Sequence, residues 1–100
     1  MFKLDDDNFV RLDLFWRELV SHGPDFSTLY WGRLKQHVPV IHDSTRKWYD
    51  PLYPNNEYEP YMLGSGYVLG RELMRAIAER ASDLPLYANE DASVGMWIKV

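Results

Sequence analysis

Apolar residues recur at helical spacing in two parts of the chain. Between positions 12 and 20 they recur three or four residues apart, and Gly23 and Pro24 end the pattern. The same spacing returns between positions 71 and 81, before Pro85. Because this spacing places apolar side chains on one face of a helix, the sequence predicts two amphipathic helices.

A third helix is predicted near the C-terminal end. Asn89 is suited to cap it, since its side chain can accept hydrogen bonds from free backbone N–H groups. Glu90 and Asp91 fall within the first turn, where the helix dipole favours carboxylates. A carboxylate near a reacting hydroxyl is also what a general base requires, so both interpretations remain open.

Short β-prone segments alternate with these helices. They lie at positions 2–4, 28–31 and 38–41, and on both sides of Gly64-Ser65-Gly66. Positions 42–60 are rich in turn signals and are predicted to form a surface loop. The alternation predicts an α/β layered fold, in which sites lie beyond the carboxyl ends of strands.

Composition narrows the choice of partner. Of the 100 residues, 46% are hydrophobic, so a packed core is expected rather than disorder. The net charge is −4 without a basic stripe, so nucleic acid is a poor candidate partner. No apolar run reaches the length of a membrane span, so any membrane attachment is expected to come from outside this chain.

Three consecutive carboxylates, Asp5, Asp6 and Asp7, directly follow the first β-prone segment. Their mutual repulsion costs free energy unless a cation or solvent offsets it. Hard oxygen ligands of this kind suit Mg²⁺ or Mn²⁺ bound together with substrate phosphates. A solvated acidic turn explains the same residues, so the triplet alone does not decide between the two interpretations.

Aromatic residues surround the central loop, among them Trp48 and Tyr61. Aromatic rings suit the apolar faces of sugars, although core packing accounts for some of them equally well. The small residues Gly64 and Gly66 would let a ligand or another backbone approach closely. These four positions are therefore candidates for a substrate site.

The order of the motifs is more specific than any one of them. In chain order they are Lys3-Leu4-Asp5-Asp6-Asp7-Asn8-Phe9-Val10, Tyr30-Trp31-Gly32, Lys47-Trp48-Tyr49, Tyr58-Glu59-Pro60-Tyr61 with Gly64-Ser65-Gly66-Tyr67-Val68-Leu69, and Glu90-Asp91-Ala92-Ser93-Val94-Gly95. This series resembles the β-1,3-galactosyltransferase family, glycosyltransferase family 31, over essentially the whole chain. Within that family it is most similar to the glycosaminoglycan linker β-1,3-galactosyltransferase II branch, and plant arabinogalactan-type galactosyltransferases have similar endings.

The resemblance implies a GT-A fold, an α/β sandwich that binds nucleotide sugars. Residues 1–100 would be a partial catalytic domain with both flanks missing, inactive by itself. The implied activity is an inverting, Mn²⁺-dependent transfer of galactose from UDP-galactose, or another UDP-hexose. The acceptor would be a 3-hydroxyl of a glycan, glycoprotein or proteoglycan, giving a β-1,3 linkage. A type II membrane protein of the Golgi lumen is implied, anchored outside this chain.

The resemblance also implies roles for individual residues. Asp7 would coordinate the metal, together with a histidine that lies outside these 100 residues. Asp91 would be the catalytic base that deprotonates the acceptor. The implied substrate-binding residues are Asp5, Asp6, Trp48, Tyr61, Gly64, Gly66 and Glu90.

One departure from the family pattern supports an alternative hypothesis. Gly70 stands where the family usually has serine after Tyr-Val-Leu. Together with the expected missing flanks, this leaves open a non-catalytic carbohydrate- or metal-binding module, or an inactive truncated fragment.

Overall fold

The computed structural model of the protein describes residues 1–99. Helices and strands are mixed along the chain, but the strict alternation that the sequence predicts is absent from the described residues. In chain order the elements are β1 (Phe2–Lys3), α1 (Leu12–Val20), β2 (Tyr30–Lys35), β3 (Tyr61–Leu69), α2 (Arg71–Glu79), a 3₁₀ turn (Ala81–Asp83) and α3 (Glu90–Lys99). The predicted mixture of helices and strands is thus confirmed, while the complete GT-A sandwich stays a prediction.

The strands form one antiparallel sheet with β3 at its centre, in the order β1-β3-β2. Val68 of β3 lies opposite Phe2 on one side and Trp31 on the other. The register between β2 and β3 shifts between Gly32 and Leu34, where β3 contains extra residues. Such a bulge interrupts the regular alternation of side chains between the two faces.

Strand β3 continues through Gly64, Ser65 and Gly66 and joins the two predicted β-prone segments into one strand. Tyr61, Tyr67, Val68 and Leu69 are buried along it. Gly66 has φ +151°, a conformation that favours glycine. The glycines therefore shape the strand and do not end it.

The predicted strand at positions 38–41 is wrong. The structure has only two isolated bridges there, Pro39 with Glu57 and Ile41 with Tyr49. Proline has no backbone N–H to donate, so it cannot continue a hydrogen-bonded ladder. Val40 instead lies buried in the hydrophobic core beneath the loop.

Helix α3 packs closely against β3 through small residues. Ala92, Ser93 and Gly95 are buried. A β-carbon at Gly95 would lie 2.6 Å from Cβ of Tyr61, so the glycine permits this close approach. The first turns of α3 are therefore fixed relative to the middle strand.

Helix α2 ends at Glu79, two residues before the end of the predicted helix over 71–81, and Ala81 begins the 3₁₀ turn. Its N-cap is Gly70, where a β-carbon would collide with the backbone carbonyl oxygens of Phe26 and Ser27. Close packing thus accounts for glycine at this position. Within residues 1–99, no helix has both the length and the apolar character needed to cross a bilayer.

Candidate functional site

An open cleft of about 880 Å³ lies where the end of β1, the middle of β3 and the start of α3 meet. It brings together residues that are far apart in the sequence. The sequence-predicted site residues on its wall are Asp5, Asp7, Trp48, Tyr61, Gly64, Glu90 and Asp91. The structure therefore places most of the predicted site in one location.

Asp6 and Gly66 are not among the residues that line this cleft. Asp6 lies exposed in the turn between its two acidic neighbours. Gly66 faces a separate cavity beside Phe2 and Trp31. The bulge between β2 and β3 explains why Gly66 does not share a face with Gly64, which is two residues away.

Gly64 allows the two acidic motifs to approach each other. A β-carbon at this position would collide with Oδ2 of Asp91 and would lie 2.9 Å from Oδ2 of Asp5. The backbone N–H of Asp5 also donates a hydrogen bond to the Gly64 carbonyl oxygen, at 3.2 Å. Only glycine leaves room for both carboxylates at this point of β3.

Lys3 joins the same two motifs through its ammonium group. Its Nζ donates hydrogen bonds to Asp5 Oδ1 at 2.9 Å, Glu90 Oε1 at 2.9 Å and Asp91 Oδ1 at 3.2 Å. Partial burial opposes the charge on Lys3, but the hydrogen bonds to its three partners outweigh it and raise the lysine's pKa above the ordinary value.

No site role was predicted for Lys3 from the sequence. A signal was present, since positions 3 and 5 are two residues apart across the end of a strand. Residues at this spacing project to the same face, so a lysine at position 3 is placed to meet Asp5. The distant contact with Asp91 has no such local signal.

The N-terminus of α3 holds Asp91 in place. Asn89 Oδ1 accepts hydrogen bonds from the backbone N–H groups of Asp91 at 3.0 Å and Ala92 at 3.2 Å. The predicted cap is thus confirmed. Ser93 Oγ donates to the Asn89 carbonyl oxygen at 3.0 Å and accepts from the Tyr87 N–H at 3.1 Å. These bonds fix the backbone that carries Asp91.

Buried tyrosines lie on the cleft wall and in the strand behind it. Burial, and then the nearby charge of Asp91, raises the pKa of Tyr67 to about 12. Tyr58, a wall residue not predicted from the sequence, donates a hydrogen bond to Asp50 Oδ2 at 2.8 Å. Burial, followed by this hydrogen bond, raises the pKa of Tyr58 as well. Both phenols therefore stay protonated at neutral pH.

Trp48 stands at the rim of the cleft with 56% of its surface exposed. Its φ of +68° is unusual for a residue other than glycine. Lys47 Nζ lies 5.3 Å from the centroid of the indole ring. An exposed aromatic ring at a cleft rim is suited to stacking on a sugar.

Asp7 is the predicted metal ligand, and it lies on the cleft wall with its Oδ1 accepting a hydrogen bond from Asn8 Nδ2 at 3.0 Å. Among the described residues, no three His, Cys, Asp or Glu side chains could hold a metal ion by themselves. A hard divalent cation shared with substrate phosphates needs only one or two protein carboxylates. The oxygen donors present therefore fit such a shared cation.

Comparisons with known proteins show what the chain is similar to. A family model described as galactosyltransferase matches residues 1–100. The chain is 31% identical over 98% of its length to UDP-GalNAc:beta-1,3-N-acetylgalactosaminyltransferase 2 of Homo sapiens, and 33% identical over 98% to that of Danio rerio. It is 35% identical over 99% of its length to hydroxyproline O-galactosyltransferase GALT5 of Arabidopsis thaliana. The chain spans 19%, 20% and 15% of these relatives, respectively.

Proposed function

We propose that this chain, which belongs to the galactosyltransferase family, forms the metal- and acceptor-side part of an inverting glycosyltransferase site. The observation that carries the proposal is the meeting of Asp5 and Asp91 across Gly64 in one open cleft. The two carboxylates come from opposite ends of the chain, and an inverting transfer needs a base beside the acceptor hydroxyl and charge stabilisation at the leaving diphosphate.

Asp91 is the proposed catalytic base. It takes the proton from the acceptor's 3-hydroxyl while the hydroxyl oxygen forms a bond to the anomeric carbon of the donor. The bond from that carbon to the phosphate oxygen breaks, UDP leaves, and an α-linked donor gives a β-linked product. The position of Asp91 on the cleft wall, with its side chain 17% exposed, supports this role because a general base must reach its substrate.

Asp7 is the proposed protein ligand of Mn²⁺, and Asp5 and Asp6 are proposed to contact the nucleotide or to orient the metal shell. When bound with the donor diphosphate, the cation would stabilise negative charge on the leaving group. Tyr61, Gly64 and Glu90 would shape the sugar pocket, with Trp48 at its rim.

Galactose is the proposed donor sugar and a β-1,3 linkage the proposed product, in protein glycosylation or proteoglycan linker synthesis. The names of the relatives include both N-acetylgalactosamine and galactose transfer, so the donor has to be tested directly. Assignment to the linker β-1,3-galactosyltransferase II branch remains a prediction. The proposed location is the Golgi lumen, as part of a type II membrane protein.

The test uses the gene product that contains these 100 residues, purified with Mn²⁺. It would be offered UDP-galactose, UDP-N-acetylgalactosamine and UDP-N-acetylglucosamine, with a β-galactosyl-xyloside and a hydroxyproline peptide as acceptors. Asp91→Asn is expected to reduce transfer by at least about 100-fold, the usual contribution of a general base. Asp7→Ala is expected to abolish metal-dependent transfer.

Asp83→Asn is the matched control, since it changes an exposed carboxylate in the 3₁₀ turn. It should leave transfer within about twofold of the unmodified protein. Binding of UDP-sugar or glycan without transfer, from every donor and acceptor in the panel, would instead indicate the non-catalytic binding module.

A further inference from the structure

The ammonium of Lys3 is the one group that contacts Asp5, Glu90 and Asp91 together within residues 1–99. We infer that Lys3 is a positioning residue that holds the Asp91 carboxylate with Oδ2 directed over Gly64, so that Oδ2 is the oxygen that accepts the proton. This inference rests on the proposed function, because it assigns a task to one atom of the proposed base.

The two oxygens of Asp91 have different surroundings. Oδ1 accepts the hydrogen bond from Lys3 Nζ at 3.2 Å. Oδ2 lies where a β-carbon at position 64 would stand. Gly64 has no side chain, so it leaves room for this oxygen, and Asp91 is part of the cleft wall. A general base needs a lone pair that is free for the substrate hydroxyl, and Oδ2 is the oxygen of Asp91 that does not accept from Lys3.

Lys3 also offsets repulsion between the acidic motifs. Asp5 Oδ2 and Asp91 Oδ2 both approach the position that a Gly64 side chain would occupy. Like charges at such short range repel each other, and a cation placed between them offsets the repulsion. Removal of the ammonium is therefore expected to let Asp91 turn away from Gly64.

The lysine is itself fixed in place, as a positioning residue has to be. Lys3 lies opposite Tyr67 in the pairing of β1 with β3, and its Nζ is 5.8 Å from the Tyr67 ring centroid. Its side chain is 24% exposed. Lys99, by comparison, pairs with one carboxylate, that of Glu59, and is 63% exposed.

The experiment compares Lys3→Met, Lys3→Arg and Lys99→Met in the gene product that contains this chain. Lys3→Met is expected to lower kcat by about 10- to 100-fold while KM for the acceptor changes by less than about threefold, because orientation of the base acts on the chemical step. Lys3→Arg keeps the positive charge and should recover most of the lost kcat. Lys99→Met removes the exposed ion pair between Lys99 of α3 and Glu59, and it should leave kcat and KM within about twofold.

A second measurement does not depend on activity. Thermal unfolding of Lys3→Met, Asp91→Asn and the double variant tests whether the two side chains act together. The loss of Tm in the double variant is expected to be smaller than the two single losses combined. An absence of transfer in the unmodified protein would refute the proposed function, and this thermal cycle would still report on the contact.

Three results would overturn the inference. One is a kcat of Lys3→Met within twofold of the unmodified enzyme. Another is a set of additive Tm losses, which would show that Lys3 and Asp91 do not interact. A rise in acceptor KM with unchanged kcat would also contradict it, since that pattern indicates substrate binding and not orientation of the base.

Discussion

Helices α1 and α3 have similar lengths but contribute differently to the molecule. Helix α1 (Leu12–Val20) has no buried residue, and Leu12, Trp16 and Val20 are exposed along it. Helix α3 (Glu90–Lys99) buries Ala92, Ser93 and Gly95 in its first turns. The proposed base lies on the helix that is packed, and no proposed site residue lies on the other.

The contrast shows that amphipathic character and tight packing are separate properties. Large apolar residues on α1 give a clear helical pattern, yet only Phe15 and Leu19 turn partly inward. Small residues on α3 give a weak pattern, yet they let its backbone approach β3. Catalytic geometry needs fixed backbone positions, and small residues at a close contact provide them.

Among the variants that test this contrast between the helices, Gly64→Ala is expected to have the largest effect, a loss of sugar transfer. A methyl group there would displace the carboxylates of Asp91 and Asp5, so transfer should fall by about 100-fold or more. Rates of sugar transfer at saturating donor would measure this loss. Gly23→Ala is the control beyond the end of α1, where nothing lies within 4 Å of the added carbon.

At Gly23 the φ of +104° makes alanine unfavourable, so Gly23→Ala should lower stability by about 1 kcal/mol. It should leave transfer unchanged. Equal losses of transfer in the two glycine variants would show that the region around α1 also controls the cleft, and the contrast between the helices would then fail.

A smaller effect, on stability, is expected for Gly95→Ala. Alanine normally favours a helix over glycine, but here its β-carbon would contact Tyr61 and the Pro60 carbonyl oxygen. The free energy of unfolding should therefore fall by about 1–3 kcal/mol, as in other overpacked sites. Denaturant titration would measure it.

Ala78→Gly on the exposed side of α2 is the control, because it reports helix propensity without a packing change. It should cost about 1 kcal/mol. A stabilised Gly95→Ala variant would mean that α3 moves away from β3 without penalty, contrary to the close packing described.

Local sequence signals predicted the helices and the cap on α3. Asn89 forms the predicted hydrogen bonds, since a cap depends on neighbours two or three residues away. The predicted strand around Pro39 failed because its apolar residues are used for core packing and its proline cannot join a ladder. Apolar content alone does not distinguish these two uses.

The order of the motifs, and the family resemblance it carries, predicted roles for Asp7 and Asp91, and the structure places both residues on one cleft wall. Gly66 was grouped with Gly64 because they are neighbours in sequence, and the bulge in the sheet separates them. The link from Lys3 to Asp91 depends on how α3 packs on the sheet. A contact between residues 88 positions apart has no local signal that a single sequence reveals.

The next effect concerns stability at alkaline pH and depends on Tyr67, a buried tyrosine of the middle strand β3. The pKa of Tyr67 is raised by burial from 10.0 to about 12. Below pH 10 the phenol is protonated in both the folded and the unfolded state. Between about pH 10 and about pH 12 the phenol ionises mainly in the unfolded state. The free energy of unfolding should therefore fall as pH rises through this range.

Tyr67→Phe should make this fall shallower, because phenylalanine has no proton to lose. Urea titrations at several pH values would measure the slope. Tyr49→Phe is the control, since Tyr49 lies exposed in the loop and its replacement should not alter the slope. An unchanged slope in Tyr67→Phe would indicate that this ring is hydrated in the folded state.

The smallest effect is expected for Trp16→Ala on the outward face of α1. The indole is 61% exposed, so its removal should change the free energy of unfolding by less than about 0.5 kcal/mol. Phe15→Ala, one residue away, removes a ring stacked 4.3 Å from that of Phe2 and should cost at least about 1 kcal/mol. Denaturant titration of both variants in the gene product compares the two faces of one helix. A larger loss at Trp16 than at Phe15 would mean that the outward face is covered in that protein, and α1 would then be packed as firmly as α3.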